Sequence, residues 1–152
     1  MAPYVAVVGA GGEDVEPALL VAGEEVGALL ARAGAVLVSG GLGGVMEAAC
    51  RGARGAGGTT LGILPGSDRA AANAFVDVAV ATGMGELRNG LVVRCADALV
   101  AIGGGYGTLS EIALSLKAGT PVVGIGSWDI DGMRAAADAP EAVAAILGDA
   151  AG

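Results

Sequence analysis

The sequence contains no histidine and a single lysine, Lys117. Without imidazole, His-ligated metal sites and Ser-His-Asp nucleophilic chemistry are excluded. A Schiff-base enzyme needs a lysine with supporting groups, and Lys117 stands late in an apolar helical stretch with none beside it. Aromatic residues are scarce: one Trp, one Phe and two Tyr. The core must then be built from Val, Leu, Ile and Ala, within a composition that is 54% hydrophobic. That suits a buried parallel sheet with small residues at its helix contacts. Basic clusters are missing too. Sixteen acidic residues against eight basic ones give a net charge of −8, which argues against nucleic acid as a partner, because phosphate backbones call for grouped Lys and Arg. A small phosphorylated ligand is not excluded, since backbone amides and one or two arginines hold one locally. No apolar run reaches the ~18 residues of a membrane span, and no membrane association is expected. The opening residues, Met1-Ala2-Pro3-Tyr4, carry no basic segment and lead straight into a strand, so a cytoplasmic location is expected. Cys50 and Cys95 lie far apart and read as buried thiols rather than a disulfide.

Two nucleotide signatures are also wanting. Gly9-Ala10-Gly11 follows the first apolar run, but Asp14 stands where GxGxxG needs its third glycine. No Gly-Lys-Ser/Thr occurs, so the chain has no Walker A loop. What the sequence does have is glycine, 29 residues of it, much of it placed just after short apolar runs. Strands are expected over residues 4–8, 36–38, 60–64, 75–80, 98–102 and 122–125. Helices are expected over 17–32, 45–54, 86–95, from about 109 to 118, and over 140–147. This alternation predicts one α/β domain over residues 1–152. It is Rossmann-like and doubly wound, a mainly parallel sheet with helices on both faces and ligands at the carboxyl ends of the strands.

The stretch 98–118 is the densest of these junctions. A strand ends in Gly103, Gly104, Gly105 and Gly107, then Thr108 leads into a helix carrying Glu111. Strand, glycine loop and helix start form an anion site, because glycine lets the backbone approach a ligand and first-turn amides point at it. A second junction echoes it. Gly41-Leu42-Gly43-Gly44-Val45-Met46-Glu47 aligns with Gly105-Tyr106-Gly107-Thr108-Leu109-Ser110-Glu111, so two loops are expected to face one ligand. A plain structural reading stands beside this. Thr-x-x-Glu at a helix start is a capping box, with Thr108 at N-cap and Glu111 at N3, and tight βα turns favour glycine in any case. Arg88 and Asn89 open the helix before the main junction. Arg88 either anchors a phosphate or is a solvated side chain. Arg94 reads as a surface residue. Asp68, Asn73 and Asp77 read as loop-solvating, and Trp128 as a cover for a sheet edge or a subunit contact.

The segment Gly104-Gly105-Tyr106-Gly107-Thr108-Leu109-Ser110-Glu111, with Arg88 upstream and the glycine loop at 39–46, resembles the "lonely guy" (LOG) family. Its members are Rossmann-like and were once mislabelled lysine decarboxylases. Characterised ones are phosphoribohydrolases that split a cytokinin nucleotide or AMP into base and ribose 5-phosphate. The signature is Pro-Gly-Gly-x-Gly-Thr-x-x-Glu with an upstream Arg-Lys. The resemblance implies that Gly104, Gly105, Tyr106, Gly107 and Thr108 bind the 5′-phosphate, with Ser39, Gly40, Gly41, Gly43, Gly44, Met46 and Asn89 completing the ligand site. It also implies a catalytic pair, Arg88 anchoring the ligand and Glu111 stabilising oxocarbenium character or orienting water. No metal or cofactor is required for that hydrolysis, and a homodimer or higher oligomer is implied. Two positions depart from the pattern: Gly103 replaces its Pro and Asn89 its Lys. In Arg88-Asn89, Asn73, Gly103-Gly104-Gly105 and Gly126-Ser127-Trp128 the chain is more similar to a sister group that includes the molybdenum cofactor carrier proteins. For that group the implied role is binding a phosphorylated pterin cofactor without catalysis.

Overall fold

The computed structural model describes residues 1–150. Seven strands form one sheet: β1 (Tyr4–Gly9), β2 (Val36–Ser39), β3 (Thr60–Leu64), β4 (Val78–Ala81), β5 (Ala98–Ile102), β6 (Val122–Ile125) and β7 (Arg134–Ala135). Their order across the sheet is β4-β3-β2-β1-β5-β6-β7, and every neighbouring pair is parallel. The chain builds outward from β1 in one direction, then returns to β1's other side with β5 and builds the opposite way. The crevice between the ends of β1 and β5 is therefore the topological switch point, where such sheets bind ligands.

Five helices cover the sheet: α1 (Pro17–Arg32), α2 (Val45–Gly55), α3 (Arg88–Cys95), α4 (Tyr106–Ala118) and α5 (Ala139–Ala150). Strand alternation divides the core between the two faces. Val5 and Val7 of β1, with Val100 and Ile102 of β5, pack with Val26, Leu30, Val45, Ala49 and Ile146 from α1, α2 and α5. Ala6 and Val8, with Leu99 and Ala101, pack with Val92 of α3 and Ile112 of α4. The central strands are buried on both faces, which is why they read as continuous apolar runs. Small residues set the helix spacing. A Cβ on Gly27 would lie 2.0 Å from the Ala49 carbonyl, and one on Gly52 would lie 1.9 Å from that of Glu24. Glycine at both positions lets α1 and α2 touch through their backbones, and Arg51 ties them at the surface to Glu24 at 3.2 Å.

The expected α/β architecture is present, with local differences. Residues 75–77 are not strand; β4 starts at Val78. Thr60 explains the delay. Its amide and hydroxyl donate to Asp77 Oδ2 at 2.9 and 3.2 Å, and its hydroxyl also reaches the Phe75 carbonyl at 2.6 Å. These bonds fold the segment into a turn before pairing begins. Asp77 is thus a structural clamp rather than a loop-solvating group. A 3₁₀ turn over Gly85–Leu87 precedes α3, where one longer helix was expected. The two-residue β7 was not anticipated. Cys50 is buried and Cys95 exposed, and both are free thiols. Among the described residues, no helix is long and apolar enough to cross a membrane.

Candidate functional site

β1 ends in Gly9 because nothing larger fits at the switch point. A Cβ there would stand 2.2 Å from the Ile102 carbonyl at the end of β5. Beyond the paired strand ends opens a cavity of about 220 Å³. Val8, Gly9 and Gly11 form its β1 side, and Gly105, Gly107, Thr108 and Glu111 form the wall leading into α4. Met46, Arg88 and Asn89 close the remainder.

The helix start differs from the capping-box reading. α4 begins at Tyr106 with Gly105 as its N-cap, and no side chain caps it. Thr108 lies inside the first turn instead of at N-cap, and Glu111 lies one turn further on. The glycines before it cause the shift. Gly103 and Gly104 take φ of 58° and 104°, which bends the chain early. Gly104 is also pressed onto Thr108, whose Oγ1 would stand 2.2 Å from a Cβ at that position. The Leu109 amide reaches back to the Gly105 carbonyl at 3.0 Å. The amides of Tyr106, Gly107 and Thr108 have no acceptor among the described residues, and they are the positive end of the helix.

Glu111 and Arg88 are the charged pair of the cavity. Glu111 is only 7% exposed. Burial pushes its pKa up to about 7, and the nearby Arg88 charge offsets part of that rise. Arg88 shows the reciprocal balance: burial lowers its pKa and Glu111 raises it. Its Nε is buried without a partner, and its guanidinium lies against Gly40, where a Cβ would come within 2.7 Å of Nη2. Arg88 Nη1 donates to Asn89 Oδ1. Asn89 Nδ2 donates to Ser110 Oγ at 3.2 Å, and that hydroxyl donates to the Gly107 carbonyl at 2.6 Å. The arginine is thereby connected to the glycine loop through side chains. A fixed cation, free first-turn amides and an acid poised near neutrality together accept an anionic group and can hold a proton beside it.

The residues expected from the sequence divide into two sets. Arg88, Asn89, Glu111, Gly105, Gly107, Thr108 and Met46 line the cavity. Gly104 braces Thr108 from behind, and Gly40 touches Arg88 and Met46. Ser39, Gly41, Gly43 and Gly44 are not on its wall. Ser39 Oγ accepts from the Gly41 amide at 3.1 Å and meets the buried Cys50 thiol at 3.6 Å. Gly44 and Glu47 face a different cleft beside Gly12, Glu13 and Arg51. Asn73 pins this second loop, bonding the Gly41 carbonyl through its amide and the Leu42 carbonyl through Nδ2, both at 2.9 Å. The side chain of Tyr106 is 84% exposed. Trp128 lies over the glycine loop rather than over a sheet edge. Its Nε1 donates to the Gly105 carbonyl at 3.2 Å, and its ring stacks on Tyr106. Val8, Gly9 and Gly11 were not anticipated as site residues. Their signal is glycine directly after the strand that becomes the centre of the sheet. Among the described residues, no cluster of His, Cys, Asp and Glu suits a metal ion.

The SLOG cluster4 family model matches residues 2–147. The chain belongs to the SLOG cluster4 family. An uncharacterized protein of Archaeoglobus fulgidus is 45% identical over 140 residues, 91% of each chain. The molybdenum cofactor binding protein from Rippkaea orientalis superposes with a TM-score of 0.92 at 35% identity, covering 97% of each chain. The molybdenum cofactor carrier protein from Chlamydomonas reinhardtii gives 0.92 at 37% identity over 100% of each chain. The LOG and carrier-protein resemblance read from the sequence is borne out, and the two solved structures are of proteins on its carrier side.

Proposed function

We propose that this SLOG cluster4 protein binds a phosphorylated small molecule at the β1–β5 switch point and serves as a binding or carrier protein for the molybdenum cofactor. The observation that carries this reading is the pairing of buried, unpartnered Arg88 Nε with the open first turn of α4 across one cavity. A phosphate fits that pairing by charge and by donor geometry. Similarity to carrier proteins from two organisms supports the cofactor as cargo. Asn89, which engages Arg88 and Ser110, is consistent with binding more than with turnover. Purified protein is expected to retain the cofactor and slow its oxidation in air; a protein that neither binds nor protects it overturns the carrier reading.

One observation favours a second reading, hydrolysis of a nucleoside 5′-monophosphate to free base and ribose 5-phosphate. Glu111 titrates near neutrality, where a carboxyl group serves as general acid or base. Incubation with AMP, other nucleoside monophosphates and cytokinin nucleotides tests it. Base released by wild type and not by Glu111→Ala supports hydrolysis; no release from any of them rejects it. Either function is proposed to operate in the cytoplasm, in a homodimer or higher homo-oligomer. Exposed Leu87, Leu91 and Leu114 around a cleft between α3 and α4 support such assembly.

A further inference from the structure

Arg88 is held by a neighbour that carries no charge. Asn89 follows it in the first turn of α3, lines the cavity and is 7% exposed. Side-chain amides so buried are normally hydrogen-bonded at both ends, and this one is. Oδ1 accepts from Arg88 Nη1, and Nδ2 donates to Ser110 Oγ at 3.2 Å. The Ser110 hydroxyl spends its one hydrogen on the Gly107 carbonyl at 2.6 Å, so toward Asn89 it acts as an acceptor. That settles which end of the amide faces the arginine. The four groups form a single directed chain from α3 to the first turn of α4.

The bond to Nη1 decides which edge of the guanidinium stays free. Nη1 lies on the Cδ side of that planar group, whereas Nε–H and Nη2 point together along the opposite edge. Among the described residues Asn89 is the one hydrogen-bond acceptor for Arg88, and no carboxylate stands within ion-pair distance of it. Nε is buried without a partner. Gly40 makes room for Nη2, since a Cβ there would come within 2.7 Å of it. A two-donor edge of this kind matches two oxygens of one phosphate. An amide also holds the cation without cancelling its charge, which a carboxylate in the same place would do.

We propose that Asn89 is a positioning residue for Arg88: by taking Nη1, with its far end anchored through Ser110 to Gly107, it presents the Nε–Nη2 edge to a phosphate at the first turn of α4. This role rests on the phosphate reading above and adds the orientation of the cation. A double-mutant cycle tests it, read by calorimetry with ribose 5-phosphate. Asn89→Ala should weaken binding about tenfold beside Arg88, and by less than about twofold in an Arg88→Lys background, because lysine has no edge to aim. Ser110→Ala removes the anchor at a partly exposed position and should show the same dependence on Arg88, with a loss of about threefold. The cycle therefore stands even where Asn89→Ala does not fold. By NMR of isotope-labelled protein, the Arg88 Nε–H signal, assigned by its absence in Arg88→Lys, should move downfield as ribose 5-phosphate binds. Equal losses in both backgrounds, no loss in a folded variant, or an unmoved Nε–H signal in protein that binds overturns the positioning role while the phosphate site stands. Failure of wild type to bind ribose 5-phosphate removes the phosphate site, and the role with it.

Discussion

The two glycine loops align residue for residue in sequence, yet they do different work in the fold. In the 105–111 loop the helix starts at Tyr106, leaving three first-turn amides open to the cavity. In the 41–47 loop the helix starts at Val45, three positions later in the alignment, with Gly44 as N-cap. The first amide of that helix is already bound, since Val45 donates to the Ala10 carbonyl at 2.9 Å. Its loop carbonyls are held by Asn73. The aligned glutamates diverge with their loops. Glu111 is buried beside Arg88, while Glu47 is partly exposed beside a separate cleft. A shared pattern of Gly, apolar, Gly, small, apolar, any, Glu therefore fixes neither the helix start nor the direction of the acid. Those follow from which neighbours take up the loop's backbone groups.

Substitutions separate the two loops, and the largest effect is expected at Gly104. Alanine there meets Thr108 and must adopt φ of 104°, so unfolding by urea should show a loss of about 3 kcal/mol or more, with ligand binding abolished. Gly43→Ala in the other loop meets nothing nearer than Glu47 Oε2 at 4.0 Å and should change stability by less than about 0.5 kcal/mol. Equal effects would erase the distinction between the loops.

Glu111→Gln comes next, through pH. The folded-state pKa of about 7 lies above the ordinary 4.5, so the native protein holds a proton that the unfolded chain has released. This favours the folded state fully below pH 4.5 and is lost as pH rises through 7. Wild-type stability should fall across that window by up to about 3 kcal/mol, and Glu111→Gln should flatten the profile. Affinity for an anion in the cavity should rise as pH falls through about 7 and level off below it, once Glu111 is protonated, while the arginine stays charged. Arg88→Ala should weaken ribose 5-phosphate binding by about tenfold to a hundredfold in calorimetry, the loss expected for charge-assisted bonds. The smallest effect on binding is expected from Asn73→Ala. It removes bonds to the Leu42 carbonyl and from the Phe75 amide and should cost about 1–2 kcal/mol, with ribose 5-phosphate affinity nearly unchanged. A large loss of affinity would return the second loop to the site.

The fold was legible because buried parallel strands are apolar runs and their helices have clear ends. The expected 60–64, 98–102 and 122–125 strands coincide with β3, β5 and β6. β7 was not legible, since a two-residue edge strand has no pattern of its own and exists only through pairing with β6. Residues 75–77 failed for the opposite reason: a strand-like pattern was overridden by side-chain bonds from Thr60. At the site, Arg88, Thr108 and Glu111 could be named from the sequence and meet in one cavity. The capping-box reading went astray because Thr-x-x-Glu is equally compatible with a helix interior, and φ at Gly103 and Gly104 decides between them. Gly9 and Gly11 were set aside with the failed GxGxxG pattern, because their role depends on β5 lying next to β1, where Gly9 pairs with Ile102 far along the chain.

The meeting of β1 and β5 has a further consequence, for how binding can be detected. These strands run through both halves of the core, so their amides should exchange with solvent only when the whole chain unfolds. A ligand seated on their ends is coupled to that global opening instead of to the fraying of a loop. Occupancy should therefore slow hydrogen exchange at the centre of the sheet, and a ligand at a hundred times its Kd should protect those amides by about a hundredfold.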